Sequence, residues 1–226
     1  MSGEHQITRE RILEGAVEER LQEAEKAGLF TRLPEEIRVA EMHRVHGEMP
    51  PGDVWVFGYG SLIWNPAFHY AEKRRGRIHG YHRRFCLETP LGRGSPDCPG
   101  LVLGLDSGGS CHGIAFRLPP ENALHELDIV FRRELVGDAY RARTVRVHTS
   151  EGVVRAATFV INRKSERYCG VRTPEEEAQM IAKAAGWLGP CSDYLLNTVD
   201  HLKELGMNDR ALYRLADRVR AIQAAA

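Results

Sequence analysis

An α+β fold, a curved or partly closed and mostly antiparallel sheet with helices packed on it, is what the apolar pattern of this chain predicts. Three observations carry it. From residue 53 onward, short apolar runs recur between Gly- and Pro-rich breaks, the rhythm of strands rather than helices. One of them, Arg141-Ala142-Arg143-Thr144-Val145-Arg146-Val147-His148, alternates polar with apolar residues, as a strand with one wet face must. Helical periodicity flanks this stretch on both sides and interrupts it once.

Taken in order, residues 8–27 carry Ile12, Ala16, Val17, Leu21 and Ala24 at helical spacing, with Thr8 able to cap the start and Gly28 to stop it. A second helix is expected from Pro34 to about Arg44, turning Ile37 and Ala40 inward. The Pro/Gly stretch 47–52 reads as a linker, so that 1–46 form a helical N-terminal extension without chemistry and 53–226 the main domain. Strands are expected over 54–59, 78–88, 101–105, 111–118, 141–148 and 153–161, with a loop over 90–100 and a turn over 106–110. A helix over 121–136 should bury Leu124, Leu127, Ile129, Val130 and Leu135 and end at Gly137. The closing helices are marked by Thr173-Pro174-Glu175-Glu176, a capping box with proline at the first helical position. Ser192 or Asp193 opens the next, Gly206 ends it, and Asn208 or Asp209 caps the last.

Composition narrows the function. The chain has 226 residues, 42% hydrophobic and 27% charged, enough to bury a core without bridges or metals. Its formal net charge of zero lacks the electrostatic footprint of a nucleic-acid binder or a polybasic membrane-surface protein. Five cysteines (Cys86, Cys98, Cys111, Cys169, Cys191), none in a Cys-x-x-Cys pair, suit reduced thiols in the cytoplasm. The opening Met-Ser-Gly-Glu-His-Gln has no apolar core behind it, and no apolar run is long enough to span a membrane. The histidines and cysteines show no ligand spacing, so no metal site is expected, and Gly58-x-Gly60 lacks the third glycine of a dinucleotide fingerprint.

The residues able to carry chemistry cluster around Val54-Trp55-Val56-Phe57-Gly58-Tyr59-Gly60-Ser61-Leu62. An apolar strand ends there in two glycines bracketing a tyrosine, and glycines can take backbone angles closed to other residues. Such a turn can aim successive N–H groups at a carboxylate or oxyanion; equally, its glycines can serve geometry alone. Glu134 ends the helix in Phe131-Arg132-Arg133-Glu134-Leu135-Val136-Gly137, where the helix dipole and apolar neighbours would raise its pKa toward that of a general acid/base. Its other reading is an exposed glutamate paired with Arg132 or Arg133. The basic cluster Lys73-Arg74-Arg75 with Arg83-Arg84 reads as a solvated face and strand edge, or, in one of its members, as a partner for a substrate carboxylate, for which Arg84, placed before Phe85-Cys86-Leu87, is the choice. Tyr140 and Tyr168 read as core or rim residues or as ligands. Cys111-His112 offers a thiol reading, countered by neighbours in a strand facing opposite ways, which favours a buried structural cysteine.

In order and spacing, five segments resemble the ChaC family of γ-glutamylcyclotransferases. They are Phe57-Gly58-Tyr59-Gly60-Ser61-Leu62-Ile63-Trp64-Asn65-Pro66, Gly80-Tyr81-His82-Arg83-Arg84-Phe85-Cys86, Gly108-Gly109-Ser110-Cys111-His112-Gly113, Arg133-Glu134 before Tyr140, and Asp193-Tyr194-Leu195-Leu196-Asn197-Thr198-Val199 with Leu205-Gly206. The likeness spans roughly residues 50 to 220, and the N-terminal helices resemble the extension of bacterial members. It implies a barrel-like cyclotransferase fold and a cytoplasmic enzyme that splits reduced glutathione into 5-oxoproline and Cys-Gly without a cofactor. Other γ-glutamyl amino acids or amines remain alternative substrates, and a non-catalytic ligand-binding domain an alternative role. By the same likeness Glu134 matches the catalytic acid/base, and Val56, Phe57, Gly58, Tyr59, Gly60, Ser61 and Leu62 match the substrate-binding loop. Tyr168 stands where the family often has a tyrosine near the pocket, while Cys169 and Val171 depart from the expected Tyr-x-Gly-Pro.

Overall fold

The computed structural model describes residues 7–225; the opening segment 1–6, read above as lacking a leader core, lies outside the described residues. Two compact units emerge, one built from residues 7–83 and 105–162, the other from 84–104 and the chain from 163 onward.

The first unit opens with α1 (Arg9–Leu13), whose Thr8 hydroxyl accepts the Arg11 N–H at 3.3 Å. The single helix expected over 8–27 is broken: Gly15 takes a left-handed φ of 83° and α2 (Ala16–Lys26) restarts after it. Gly28 (φ 72°) ends the pair as expected. In α3 (Glu35–Gly47) the buried residues are Arg38, Met42 and Val45, while Ile37 and Ala40 face solvent. Charge pairing reverses the expected face, because Arg38 is held 2.6 Å from Asp128. The stretch read as a linker is tied to strand residues: Arg155 donates to the Glu48 carbonyl at 2.7 Å, and Thr144 to the Glu48 carboxylate.

A closed barrel follows, in the order β1-β3-β2-β4-β5. Its strands are β1 (Trp55–Gly58), β2 (Glu72–Thr89), β3 (Gly100–Arg117), β4 (Tyr140–Thr149) and β5 (Gly152–Ile161). Pairing is antiparallel between β1 and β3, β2 and β4, and β4 and β5, and closes with β1 parallel to β5. The turn expected over 106–110 is absent and β3 runs through it. Gly108 and Gly109 (φ 96° and 72°) absorb the irregularity as a kink within the strand, where His82 Nδ1 meets the Gly108 carbonyl at 3.0 Å. The buried aromatics Phe57, Phe116 and Phe159 form the core, and α4 (Ala123–Glu134), entered through a 3-10 turn at Pro120–Asn122, adds Leu127, Ile129, Val130 and Phe131 to it. Phe131 meets Phe159 edge-on at 5.2 Å. Leu124, expected inside, is 41% exposed.

In the second unit the capping box of Thr173 and Glu176 starts α5 (Pro174–Lys183), and the Asp209 carboxylate accepts from Leu212 N at 3.1 Å to start α7 (Arg210–Ala224). Between them lie a two-residue ladder, β6 (Ala185–Gly186) with β7 (Gly189–Pro190), and α6 (Cys191–Glu204). Among the described residues no helix is long and apolar enough to cross a membrane.

One tie bears on stability. Glu126 is buried at 2% exposure, yet Arg9 Nη2 approaches its carboxylate at 2.7 Å and the His69 N–H donates to it at 2.9 Å. Burial works to raise its pKa, but these partners prevail and hold it below the ordinary range. A depressed carboxyl contributes stability above its unfolded pKa and loses it as pH falls. Glu126→Gln should therefore cost about 2 kcal/mol in urea unfolding at neutral pH, with the deficit shrinking below about pH 4. An equal deficit at both pH values would show that packing, not charge, holds Glu126.

Candidate active site

The end of β1 is shaped by close backbone approach. A Cβ on Gly58 would fall 2.8 Å from the Leu62 Cβ, and one on Gly113 would fall 2.3 Å from the Gly58 carbonyl oxygen. This corrects the reading of the motif: Gly58 is needed for proximity, and neither Gly58 nor Gly60 (φ −131°) occupies the left-handed region. Carbonyls along the segment are taken by side chains. Thr158 Oγ1 donates to the Phe57 carbonyl at 3.0 Å, and Arg83 donates to the Tyr59 carbonyl and, at 3.1 Å, to that of His112. The Tyr59 hydroxyl donates to the Phe159 carbonyl at 2.9 Å, and Val56 and Leu62 are buried. A 3-10 turn, Ser61–Ile63, follows, with Ile63 N bonded to the Gly60 carbonyl at 2.9 Å. Helical geometry leaves its first N–H groups without an acceptor in the turn, and among the described residues no other group accepts from Ser61 N or Leu62 N.

Glu134 is the last residue of α4. Arg133 Nε lies 3.0 Å from its carboxylate, while the same guanidinium donates to Ser61 Oγ at 2.9 Å, to the Pro66 carbonyl at 3.2 Å and to the Asn65 carbonyl. Two hydrogen bonds and the width of one guanidinium thus keep the carboxylate within roughly 8 Å of the Ser61 hydroxyl. The Arg133 side chain is 5% exposed and that of Glu134 16%, so the acid is largely desolvated while keeping an opening. Burial pushes its pKa up, and Arg133 pulls back less strongly. Of the two arginines weighed as its partner, Arg132 instead pairs with Asp128 at 2.7 Å.

Glu134 and the 56–62 segment are therefore brought together in one unit. Tyr140, half-buried, opens β4 opposite Ile161 in that unit. Arg84 and Tyr168 belong to the other: Arg84 donates to the Gly170 carbonyl at 3.0 Å, and the Tyr168 ring has the Arg163 guanidinium 5.9 Å above it. Cys111 is buried with its thiol toward the His112 carbonyl at 3.4 Å, and His112 is exposed, the opposed facing expected of strand neighbours. Among the described residues no three His, Cys, Asp or Glu side chains form a metal cluster. A cavity of about 550 Å³ lies among α1, α2, α3 and the end of α4, but Arg32 and Arg38 on its wall are already paired, with Glu25 and Asp128. Sequence reasoning missed Arg133 as an organiser, Arg83, Thr158 and Gly113. Thr158 carried a signal, as the lone hydroxyl in the apolar run Ala156-Ala157-Thr158-Phe159-Val160.

The closed five-stranded barrel with its packed helices is the fold of the γ-glutamylcyclotransferase class. A crystal structure of a yeast γ-glutamyl cyclotransferase specific to glutathione has the same fold, with a TM-score of 0.70 at 24% identity, covering 77% of this chain and 98% of that one. The family model described as ChaC-like protein matches residues 54–222, and the chain belongs to the ChaC family. The glutathione-specific gamma-glutamylcyclotransferase of Escherichia coli (strain K12) is 37% identical over 174 residues, 76% of this chain and 75% of that protein. That of Schizosaccharomyces pombe is 30% identical over 184 residues, 73% and 90% of the two chains.

A raised carboxyl binds its proton more tightly in the folded state, so its stability contribution is present at low pH and lost as pH rises through the folded value. Glu134→Gln, which keeps an acceptor for Arg133, should therefore melt higher than the unsubstituted protein at pH 8 and equally near pH 4. A lower melting temperature at pH 8 would show that the ion pair outweighs desolvation.

Proposed function

We propose that this protein cleaves reduced glutathione to 5-oxoproline and Cys-Gly, with Glu134 as the single proton-transfer group. The observation that carries this reading is the buried Arg133 guanidinium, which holds the Glu134 carboxylate and the Ser61 hydroxyl at once. Family membership and the printed names of the E. coli and S. pombe relatives support the substrate.

The chemistry asks little of the protein. In a γ-glutamyl peptide the α-amine and the γ-carbonyl belong to one residue, so folding it back closes a five-membered ring without an outside nucleophile. Holding that conformer can be worth an effective molarity on the order of 10⁵ M. Glu134 as carboxylate takes a proton from the α-ammonium, and the freed amine attacks the γ-carbonyl. The N–H groups of Ser61 and Leu62 stabilise the oxyanion, each worth about 3 kcal/mol by analogy with measured donors. Collapse breaks the amide, Glu134 returns the proton to the departing cysteine nitrogen, and the surplus proton of the ring nitrogen follows through the same carboxylate, leaving a neutral lactam and the ammonium of Cys-Gly. A binding domain would gain nothing from a desolvated carboxyl facing an anionic ligand. The 56–62 segment and Tyr140 form the substrate side of this site; Arg84 and Tyr168 are not drawn on. The protein works in the cytoplasm on a small molecule, with no part for nucleic acid or membrane.

Purified protein given glutathione should release 5-oxoproline and Cys-Gly in equal amounts. Glu134→Gln should lower kcat by a factor on the order of 10³ while glutathione still binds, and a variant keeping most of its rate would remove Glu134 from this role. Faster turnover of γ-glutamyl amino acids or amines than of glutathione would reassign the substrate. Since the starting form is the carboxylate, kcat/KM should fall as pH drops through the raised Glu134 value, above the ordinary carboxylate range. Arg133→Lys keeps the charge but loses the fork, and should cut kcat about tenfold or more with a smaller change in KM. An unchanged kcat would make Arg133 structural only.

A further inference from the structure

The second unit contains a pair of thiols that the proposed reaction does not use. Leu87, near the end of β2, lies opposite Tyr168 in an antiparallel bridge. Glu88 N donates to the Arg167 carbonyl at 2.9 Å, and Cys169 N donates to the Cys86 carbonyl at 3.1 Å. This register sets Cys86 and Cys169 directly across from each other, and directly opposed residues of an antiparallel ladder project from the same face. At a hydrogen-bonded position their Cα atoms are about 5.5 Å apart, inside the span of about 4.4–6.8 Å that disulfides accept.

The surroundings of the two sulfurs differ in a useful way. Cys86 is buried and Cys169 is half-buried, so a reagent from solvent reaches Cys169 first. Arg172 lies against Cys169, the contact that contributes most to holding its guanidinium above the usual range, and also pairs with Glu88. The other thiols lack such an arrangement: Cys98 is exposed, Cys111 is buried, and burial pushes Cys191 up to about 11.

We propose that Cys86 and Cys169 form a reversible dithiol–disulfide pair that exchanges with glutathione disulfide. The Cys169 thiolate attacks one sulfur of the oxidised peptide, forming a mixed disulfide and expelling one glutathione thiolate. The Cys86 thiolate then attacks the Cys169 sulfur, closing the protein disulfide and expelling the second. Two protein thiols are oxidised, one glutathione disulfide is reduced to two thiols, and the protons released by the protein are taken up by the products. A bond across a hydrogen-bonded position draws the Cβ atoms closer than the ladder holds them, and strained disulfides of this kind are readily reduced. The pair thus follows the glutathione redox ratio instead of locking.

The experiment uses the full chain carrying Glu134→Gln, so that the proposed cleavage does not consume the reductant, with glutathione assayed before and after. The protein is equilibrated with mixtures of glutathione disulfide and glutathione, quenched with iodoacetamide and analysed by intact mass and peptide mapping. The expected result is joint protection of Cys86 and Cys169 as one cross-linked peptide at high disulfide ratio, reversed by excess glutathione. With Cys86→Ser added, or Cys86→Ala should serine disturb folding, the reaction should stop at one glutathione bound to Cys169. The proposal is overturned if Cys86 and Cys169 stay alkylated at ratios where Cys98 is modified. It is also overturned if protein with both cysteines accumulates a stable glutathione adduct at Cys169. Neither outcome bears on cleavage of glutathione, which is read from 5-oxoproline release by the unsubstituted enzyme.

Discussion

A single buried guanidinium, that of Arg133, joins the end of a helix to a turn 72 residues earlier in the chain. Its donors are committed, to Ser61 Oγ, to the carbonyls of Asn65 and Pro66, and to Glu134, which offsets the cost of burying the group. That division of labour also decides what Glu134 can do. A guanidinium devoted wholly to one carboxylate would hold it ionised, whereas one shared among several acceptors leaves burial in command of the proton. The rigid planar fork sets direction as well as charge, which a flexible ammonium could not.

The turn on the other side of this fork is fixed just as firmly. Thr158 and Arg83 occupy the Phe57 and Tyr59 carbonyls, and Ile63 N occupies that of Gly60, so these peptide units are oriented by their oxygens. Gly58 and Gly113 let two backbones and the Leu62 side chain share a space that methyl groups would fill. Asn65 is gripped twice: its carbonyl accepts from Arg133, and its side-chain amide donates to the Ile7 carbonyl at 2.9 Å. The proposed oxyanion stabiliser is made of backbone and works only if it is held before the reaction; these contacts fix the segment that carries it.

Much of the fold was legible because its signals are local. The Thr173 box, the Asp209 cap and the Gly28 stop are each settled by a few neighbouring residues. The glycine-bracketed tyrosine and the glutamate ending α4 could be singled out for the same reason. What escaped depends on distant partners. Arg38 is buried only because Asp128 awaits it 90 residues away, and no helical periodicity could show that Ile37 would give up the inner face. Gly108 and Gly109 read identically as a reversal or as a kink, and only the pairing of β3 with its neighbours carries the strand on through the kink they make. Arg133 was in view but weighed as a competitor for Glu134, since adjacency says nothing of the turn it also reaches.

The match to the ChaC family begins at residue 54, yet the cation that neutralises the buried Glu126 carboxylate comes from Arg9. A polypeptide trimmed to the shared region would keep that acid in the interior with its arginine removed. Arg9 and the helix that carries it thus belong to the electrostatics of the fold: removing them takes away the cation that offsets an interior acid, a loss larger than that of the apolar contacts alone.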